Sequence, residues 1–195
     1  MLRRDRRLMG TRQDILQQIA RVAYRRGNFR LRSGQWSSEY VDKYQFEAHP
    51  ELLGALGQLI AEQLPPETEV IAGMELGGVP LAVAASLASG LPCAFVRKQA
   101  KEYGTQRRSE GFPVAGRRVV LVEDVVTTGG QLLEGLEVLR QEGAQPILVL
   151  CVIDRQQGAA ERLREPGVPF RALFTLEELR AAAIPNEARG DSEEC

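Results

Sequence analysis

The sequence predicts an α/β fold, a parallel sheet flanked by helices and preceded by a small N-terminal hood. Three observations carry this. Short apolar runs alternate with helical segments between residues 70 and 153, the pattern of strand–helix–strand crossovers. The first 45 or so residues break that alternation, which sets them apart as a cap. The length of 195 residues, with 44% apolar, 26% charged and 6% aromatic content, fits one or two globular domains.

The elements follow in order. Residues 1–10 begin with a basic stretch that lacks the apolar run of a signal peptide. They read as a loose extension, with Met9 as an alternative start, and the cytoplasm is the default location. Thr11 caps a helix that buries Ile15, Ile19 and Val22 and closes at Gly27. Residues 28–44 read as strand, turn at Ser33-Gly34, and strand. Helix and strands together make a hood over residues 11–48.

The core spans residues 49–183. His49, the only histidine, reads as a surface cap before Pro50, which opens a helix striped by Leu52, Leu53, Leu56, Leu59, Ile60 and Leu64. After Pro65-Pro66 come a buried strand at 70–73, a small-residue helix at 80–89 and a strand at 94–96. A long polar stretch covers 98–113. Then follow a strand at 118–123, a helix at 130–142 ended by Gly143, and a strand at 146–153. Residues 184–195, with Pro185, Gly190 and four acids, read as a frayed tail.

Composition narrows the function. No stretch reaches the roughly 18 apolar residues of a membrane helix. Twenty-five basic against 26 acidic residues argue against a general nucleic-acid coat. The expected partners are therefore neither nucleic acid nor membrane. Cys93, Cys151 and Cys195 are odd in number and lack paired spacing, which argues against a disulfide framework and against a zinc site. Cys93 and Cys151 sit in apolar runs as small hydrophobes. There are three lysines, Lys43, Lys98 and Lys101, against 22 arginines, so the pair within Arg97-Lys98-Gln99-Ala100-Lys101 stands out.

The chemistry concentrates in Val119-Val120-Leu121-Val122-Glu123-Asp124-Val125-Val126-Thr127-Thr128-Gly129-Gly130, followed by Gln131. Four apolar residues make a strand buried on both faces. Two acids stand at its carboxyl end, where open parallel sheets bind ligands. The Thr/Gly loop then offers hydroxyls and backbone N–H groups at a helix N-terminus, a cradle for phosphate. Two carboxylates beside a phosphate cradle repel an anion unless something else occupies them. The vicinal hydroxyls of a ribose do so by donating to the carboxylates. The alternative is a solvated Glu-Asp pair in an ordinary strand-to-helix turn.

This segment resembles the motif that type I phosphoribosyltransferases use to bind 5-phosphoribosyl 1-diphosphate (PRPP). Three more segments resemble the orotate phosphoribosyltransferases in particular. Phe95 to Gly104 is similar to their mobile loop, Val152-Ile153-Asp154-Arg155-Gln156-Gln157-Gly158 to the turn facing orotate, and Phe29-Arg30-Leu31-Arg32-Ser33-Gly34 to their hood strand. Gly73 to Pro80 stands where the family has its diphosphate loop. The resemblance covers residues 11–183 in order.

It implies a type I phosphoribosyltransferase fold and transfer of phosphoribosyl from PRPP to orotate. By this match Lys101, Glu123 and Asp124 are the catalytic candidates. Arg97, Lys98, Lys101, Tyr103 and the run Glu123, Asp124, Val125, Val126, Thr127, Thr128, Gly129, Gly130 and Gln131 would bind PRPP. Glu75, Leu76, Gly77 and Gly78 would form the diphosphate loop, with a cis peptide between Glu75 and Leu76. Thr127, Arg155 and Arg32 would meet orotate, Arg155 through its guanidinium fork on the carboxylate. A surface ion pair with Asp154 is the plainer reading of Arg155. Magnesium (Mg2+) is the implied cofactor, carried mainly by PRPP near Glu123 and Asp124 with no direct protein ligand set. A homodimer whose loop acts in the partner's site is implied by the resemblance alone. Residues 98–112 are expected to be mobile without ligand.

The chain departs from the family pattern in places. Arg32 stands for a frequent Lys, and Leu76-Gly77 for Tyr-Lys, which removes one cation near the diphosphate. Tyr103 stands for His and Glu123 for Asp, so no catalytic His is expected. A purine phosphoribosyltransferase of the same fold has no use for an Arg that reads a carboxylate. A non-catalytic nucleotide- or RNA-binding regulator has no need of Glu123, Asp124, Lys98 and Lys101 together.

Overall fold

The structure is a computed structural model that describes residues 10–30, 34, 36–98 and 108–183. Arg32, Lys101 and Tyr103, most of the expected mobile loop, and both terminal extensions lie outside the described residues.

Helix α1 (Arg12–Ala23) starts where Thr11 accepts from the Asp14 N–H at 3.1 Å. It ends at Ala23 rather than at Gly27. The reason is a competing ladder: Tyr24 pairs with Val41, which draws the chain into the antiparallel hairpin β1 (Tyr24–Arg30) and β2 (Trp36–Val41). Gly27 instead sits in β1 next to a register shift between Arg26 and Phe29. The expectation of strand as far as Tyr44 is also corrected. Lys43–Ala48 is a short helix, α2, whose Phe46 is fully buried. Helix α3 (Pro50–Gln63) follows, with exposed His49 at its cap position making no side-chain capping bond.

The core sheet comprises β3 (Val70–Met74), β4 (Cys93–Val96), β5 (Ser109–Gly111), β6 (Arg118–Val126), β7 (Gln145–Asp154) and β8 (Phe170–Thr175). Its order is β5-β4-β3-β6-β7-β8. Every neighbouring pair is parallel except β4–β5. The antiparallel β5 falls in the stretch expected to be irregular, and it pairs Ser109 with Val96 and Gly111 with Ala94. Helices α4 (Gly78–Ser89) and α5 (Gly130–Gln141) make the crossovers after β3 and β6. After β7 come α6 (Ala159–Arg162), β8 and α7 (Leu176–Ala182). Among the described residues no helix is long and apolar enough to cross a membrane.

Strand β6 shows how the pattern becomes layers. Successive side chains of a strand point to opposite faces. Val120 and Val122 enter one apolar cluster with Ile19, Leu56 and Leu81 from α1, α3 and α4. Val119 and Leu121 enter the other with Leu132, Leu136 and Leu139 from α5. Burying both faces requires the unbroken apolar run that the sequence carries there. Helix α1 therefore shares a core with the sheet, and the hood hairpin is tied back by Arg180 of α7, whose Nε donates to Glu39 of β2 at 2.8 Å.

Candidate active site

Strand β3 lies between β4 and β6. The chain winds from β3 through α4 to β4 on one side, and from β6 through α5 to β7 on the other. The strand order thus reverses between β3 and β6, and ligands of such sheets bind outside the carboxyl ends at that switch point. Residues 75–77 leave β3 there and residues 127–129 leave β6 beside them.

The β6 loop lines a cavity of about 300 Å³ with Glu123, the residues from Val125 to Leu132, and Glu134. Gly129 has φ 77°, a left-handed conformation that glycine adopts without a steric penalty. That turn starts α5 at Gly130 and points the helix N-terminus at the cavity, so backbone N–H groups and the helix dipole favour an anion. Glu123 reaches the same cavity. Only 5% exposed, its carboxyl is raised well above the usual range, first by burial and then by the charge of Asp124.

Asp124 takes the other face of β6 and is 1% exposed. One carboxylate oxygen accepts from the Val125 N–H, and Oδ2 pairs with Lys43 Nζ at 2.6 Å. Burial on its own would lower the Lys43 pKa, but the pairing with Asp124 outweighs it and raises it. The Asp124 carboxylate also presses on the loop of residues 75–78, because a Cβ at Gly77 would fall inside its van der Waals shell. The peptide before Leu76 is cis, as the resemblance implies.

The two acids therefore share a sheet edge but open to opposite sides of the strand. Lys43 and Glu47 escaped the sequence reading. Their i,i+4 spacing is the one local signal, since it puts both on one face of a helix. Nothing local marked that helix.

Glu47 sits beside this pair. Burial first, and then the Asp124 charge, hold its carboxyl up at about 8. The neutral acid, which can donate to Asp124, is the folded form at neutral pH. Its pKa in the folded state lies above the unfolded value near 4.3. The folded state then holds the extra proton between these values, so stability falls as pH rises from about 5 to about 8. Glu47→Gln should flatten that slope in urea midpoints measured across this range. An unchanged slope would mean Glu47 is ionised in the folded protein.

The basic segment is clamped at both ends. Glu75 Oε2 accepts from Lys98 N at 3.0 Å, which joins the diphosphate loop to the start of the segment. Arg97 N donates to Arg108 O at 2.8 Å, and Arg108 Nη2 to Lys98 O at 2.7 Å. Glu142, which caps the C-terminus of α5, accepts from Arg108 N and Ser109 N, each at 3.0 Å. Arg97 Nη1 is buried without a hydrogen-bond partner.

Arg155 follows β7, its N–H donating to Val126 O at 2.8 Å, which places it next to the β6 loop. Asp154 turns to the Gln156 N–H at 2.8 Å, and Arg155 Nε is buried without a hydrogen-bond partner among the described residues. Its charge reaches the hood: the Glu39 carboxyl is held down at about 2, mainly by hydrogen bonds from Arg180, with Arg155 contributing. A half-buried guanidinium with a free donor, between hood and phosphate cradle, is suited to a planar anion.

The phosphoribosyl transferase domain family matches residues 44–166. The chain is 47% identical over 156 residues to an orotate phosphoribosyltransferase of Nocardioides sp., covering 80% of this chain and 87% of that one. Against the orotate phosphoribosyltransferase of Methanopyrus kandleri it is 49% identical over 154 residues, covering 79% and 83%. The Mycobacterium tuberculosis H37Rv orotate phosphoribosyltransferase, solved in complex with PRPP, superposes with a TM-score of 0.74 at 29% identity, covering 87% of this chain and 98% of that one. A doubly wound sheet, an acid pair leading into a phosphate cradle at its switch point, and identity near one half across most of the chain agree: the protein belongs to the orotate phosphoribosyltransferase family.

Proposed function

We propose that the chain transfers phosphoribosyl from PRPP to orotate, giving orotidine 5′-monophosphate and diphosphate for pyrimidine synthesis. The observation that carries this is the placing of Arg155. Its backbone N–H is bonded to Val126 of the strand whose loop lines the cavity, and its Nε has no hydrogen-bond partner among the described residues. Orotate carries a carboxylate for such a group, whereas purine bases carry none.

In the reaction a ring nitrogen of orotate attacks C1 of the ribose and gives up its proton to the departing diphosphate or to water, and the C1–oxygen bond breaks with its electron pair leaving on diphosphate. Two anions must be held in line, and positioning supplies much of the acceleration. The α5 N-terminus with Thr127 and Thr128 holds the 5-phosphate. Glu123 and Asp124 take the ribose hydroxyls. The loop of Glu75, Leu76, Gly77 and Gly78, with Arg97 and Lys98, meets the diphosphate, and Lys101 and Tyr103 complete its surroundings. Arg155, Thr127 and Arg32 receive orotate.

In this reading magnesium is carried mainly by the substrate near Glu123 and Asp124. Among the described residues no three His, Cys, Asp or Glu side chains form a metal cage. Magnesium is commonly bound by substrate phosphates with one or two carboxylates and water. Glu123, in the cavity, would stand next to it. There the ion would offset the charge of the diphosphate. The enzyme is a homodimer in this reading. Exposed Val83 and Leu87, one turn apart on α4, offer an apolar contact face.

The test is consumption of orotate, followed by absorbance, with PRPP and magnesium, against adenine, guanine and hypoxanthine as competing acceptors. Turnover with a purine and none with orotate would overturn the reading. Arg155→Ala should raise KM for orotate at least about tenfold, the size of one lost charge-assisted contact. KM for PRPP should change little. Equal losses for both substrates would remove Arg155 from the base site.

A further inference from the structure

We propose that Lys43 is a positioning residue for PRPP: from the hood-side helix α2 it holds the Asp124 carboxylate in place and supplies the fixed positive charge that the diphosphate loop lacks. This deepens the phosphoribosyl-transfer reading and rests on it.

Helix α2 has six residues, and Asp42 at its cap makes no side-chain capping bond. A helix that short does not hold itself together in water. Tertiary contacts set its place: Phe46 is fully buried in the core shared by α1 and α3. With that face pinned, Lys43 and Glu47, four residues apart, turn towards Asp124.

The Lys43–Asp124 contact is 2.6 Å long, with the aspartate side chain 1% and the lysine 30% exposed. Besides Lys43, the neighbouring side chain able to donate to the Asp124 carboxylate is the neutral Glu47 carboxyl. Lys43 is thus the counterion of a buried charge, and removing one partner of such a pair leaves the other uncompensated. The lysine side chain as a whole keeps 30% of its surface exposed.

The diphosphate loop is packed against the same oxygen. A Cβ on Gly77 would meet Asp124 and would lie 2.7 Å from Glu47 Oε1. The loop residues Glu75, Leu76, Gly77 and Gly78 carry no cation. The ammonium on Asp124 therefore stands next to the loop from outside it. Lys43 also lies one residue before the segment that matches the phosphoribosyl transferase domain family.

The charge balance explains why both α2 residues are there. Glu47, Glu123 and Asp124 bring three carboxyl groups towards a site that must accept a polyanion. Burial keeps Glu47 neutral near pH 7, and Lys43 neutralises Asp124. The substrate then meets an acid able to accept from a ribose hydroxyl, without three unopposed negative charges.

The experiment measures PRPP binding by titration calorimetry and steady-state KM values for the wild type, Lys43→Ala and Lys43→Arg, with thermal melts as a check of folding. Lys43→Ala should weaken PRPP at least about tenfold, leave KM for orotate within about twofold, and recover most of the loss as Lys43→Arg. If Lys43→Ala does not fold, Lys43→Gln, which keeps the stem, is measured in its place. PRPP affinity within threefold of wild type, equal losses for PRPP and orotate, or an arginine variant no better than alanine would each overturn the proposal. Calorimetry needs no base, so it tests Lys43 even if the preferred acceptor is not orotate.

Discussion

Gly77→Ala should cut PRPP-dependent turnover by about a hundredfold or more, the scale of an ångström-sized misplacement at a reacting centre. Gly77 has φ −68° and ψ −28°, an ordinary helical conformation, so the backbone does not require glycine there. Space does. The added methyl would overlap Asp124 Oδ2 and approach Glu47 Oε1. Either the diphosphate loop moves or the Asp124–Lys43 pair opens. Overpacking of this kind costs about 1–3 kcal/mol of stability. The side chain that must yield is a terminal carboxylate rather than backbone, so the fold should survive while the site does not. A double-mutant cycle isolates the cause. In an Asp124→Ala background the stability cost of Gly77→Ala should shrink to a few tenths of a kcal/mol, as coupled neighbours behave. Full additivity would mean that the clash lies elsewhere.

The parts of this site that were legible in the sequence share one property: their structure is locally encoded. A strand buried on both faces must be apolar throughout, and Val119 to Val122 is. The turn after it needs a residue tolerant of positive φ, and Gly129 is there. Arg155 was legible for the same reason, because a buried strand of known direction delivers the next residue to the sheet edge. Helix α2 was not legible. Its seven-residue neighbourhood has no capping bond and no repeat, and it is helical because Phe46 and Lys43 find partners far along the chain. Gly27 misled as a helix stop because the hairpin ladder claimed Tyr24 first. Residues 156–183 received no elements although a signal was present. Thr175 and Glu178 form a capping box that starts α7, a pattern readable from the sequence. β5 offered less, being three mixed residues paired antiparallel at an edge.

The second large effect tests whether the basic loop crosses between subunits. Lys101→Ala and Asp124→Ala should each be nearly inactive alone. Lys101 lies outside the described residues, but the ends of its segment are fixed: Arg97 N donates to Arg108 O, and Arg108 and Ser109 are held by Glu142. With β5 taking Ser109–Gly111, residues 99–107 are the stretch between the described ends. At about 3.3 Å per residue, out and back, it reaches on the order of 15 Å. That is shorter than a loop running to residue 113 would reach, and it still permits contact across a seam beside the site. If the loop serves the neighbouring subunit, the two variants complement one another. A mixed dimer has one site that takes its acids from the Lys101→Ala chain and its loop from the Asp124→Ala chain. With random exchange, about half the dimers are mixed and each has one working site of two, so activity should climb towards about a quarter of wild type. Subunit exchange is checked independently by mass-tagging one variant. Exchange without recovery would assign Lys101 to its own chain's site.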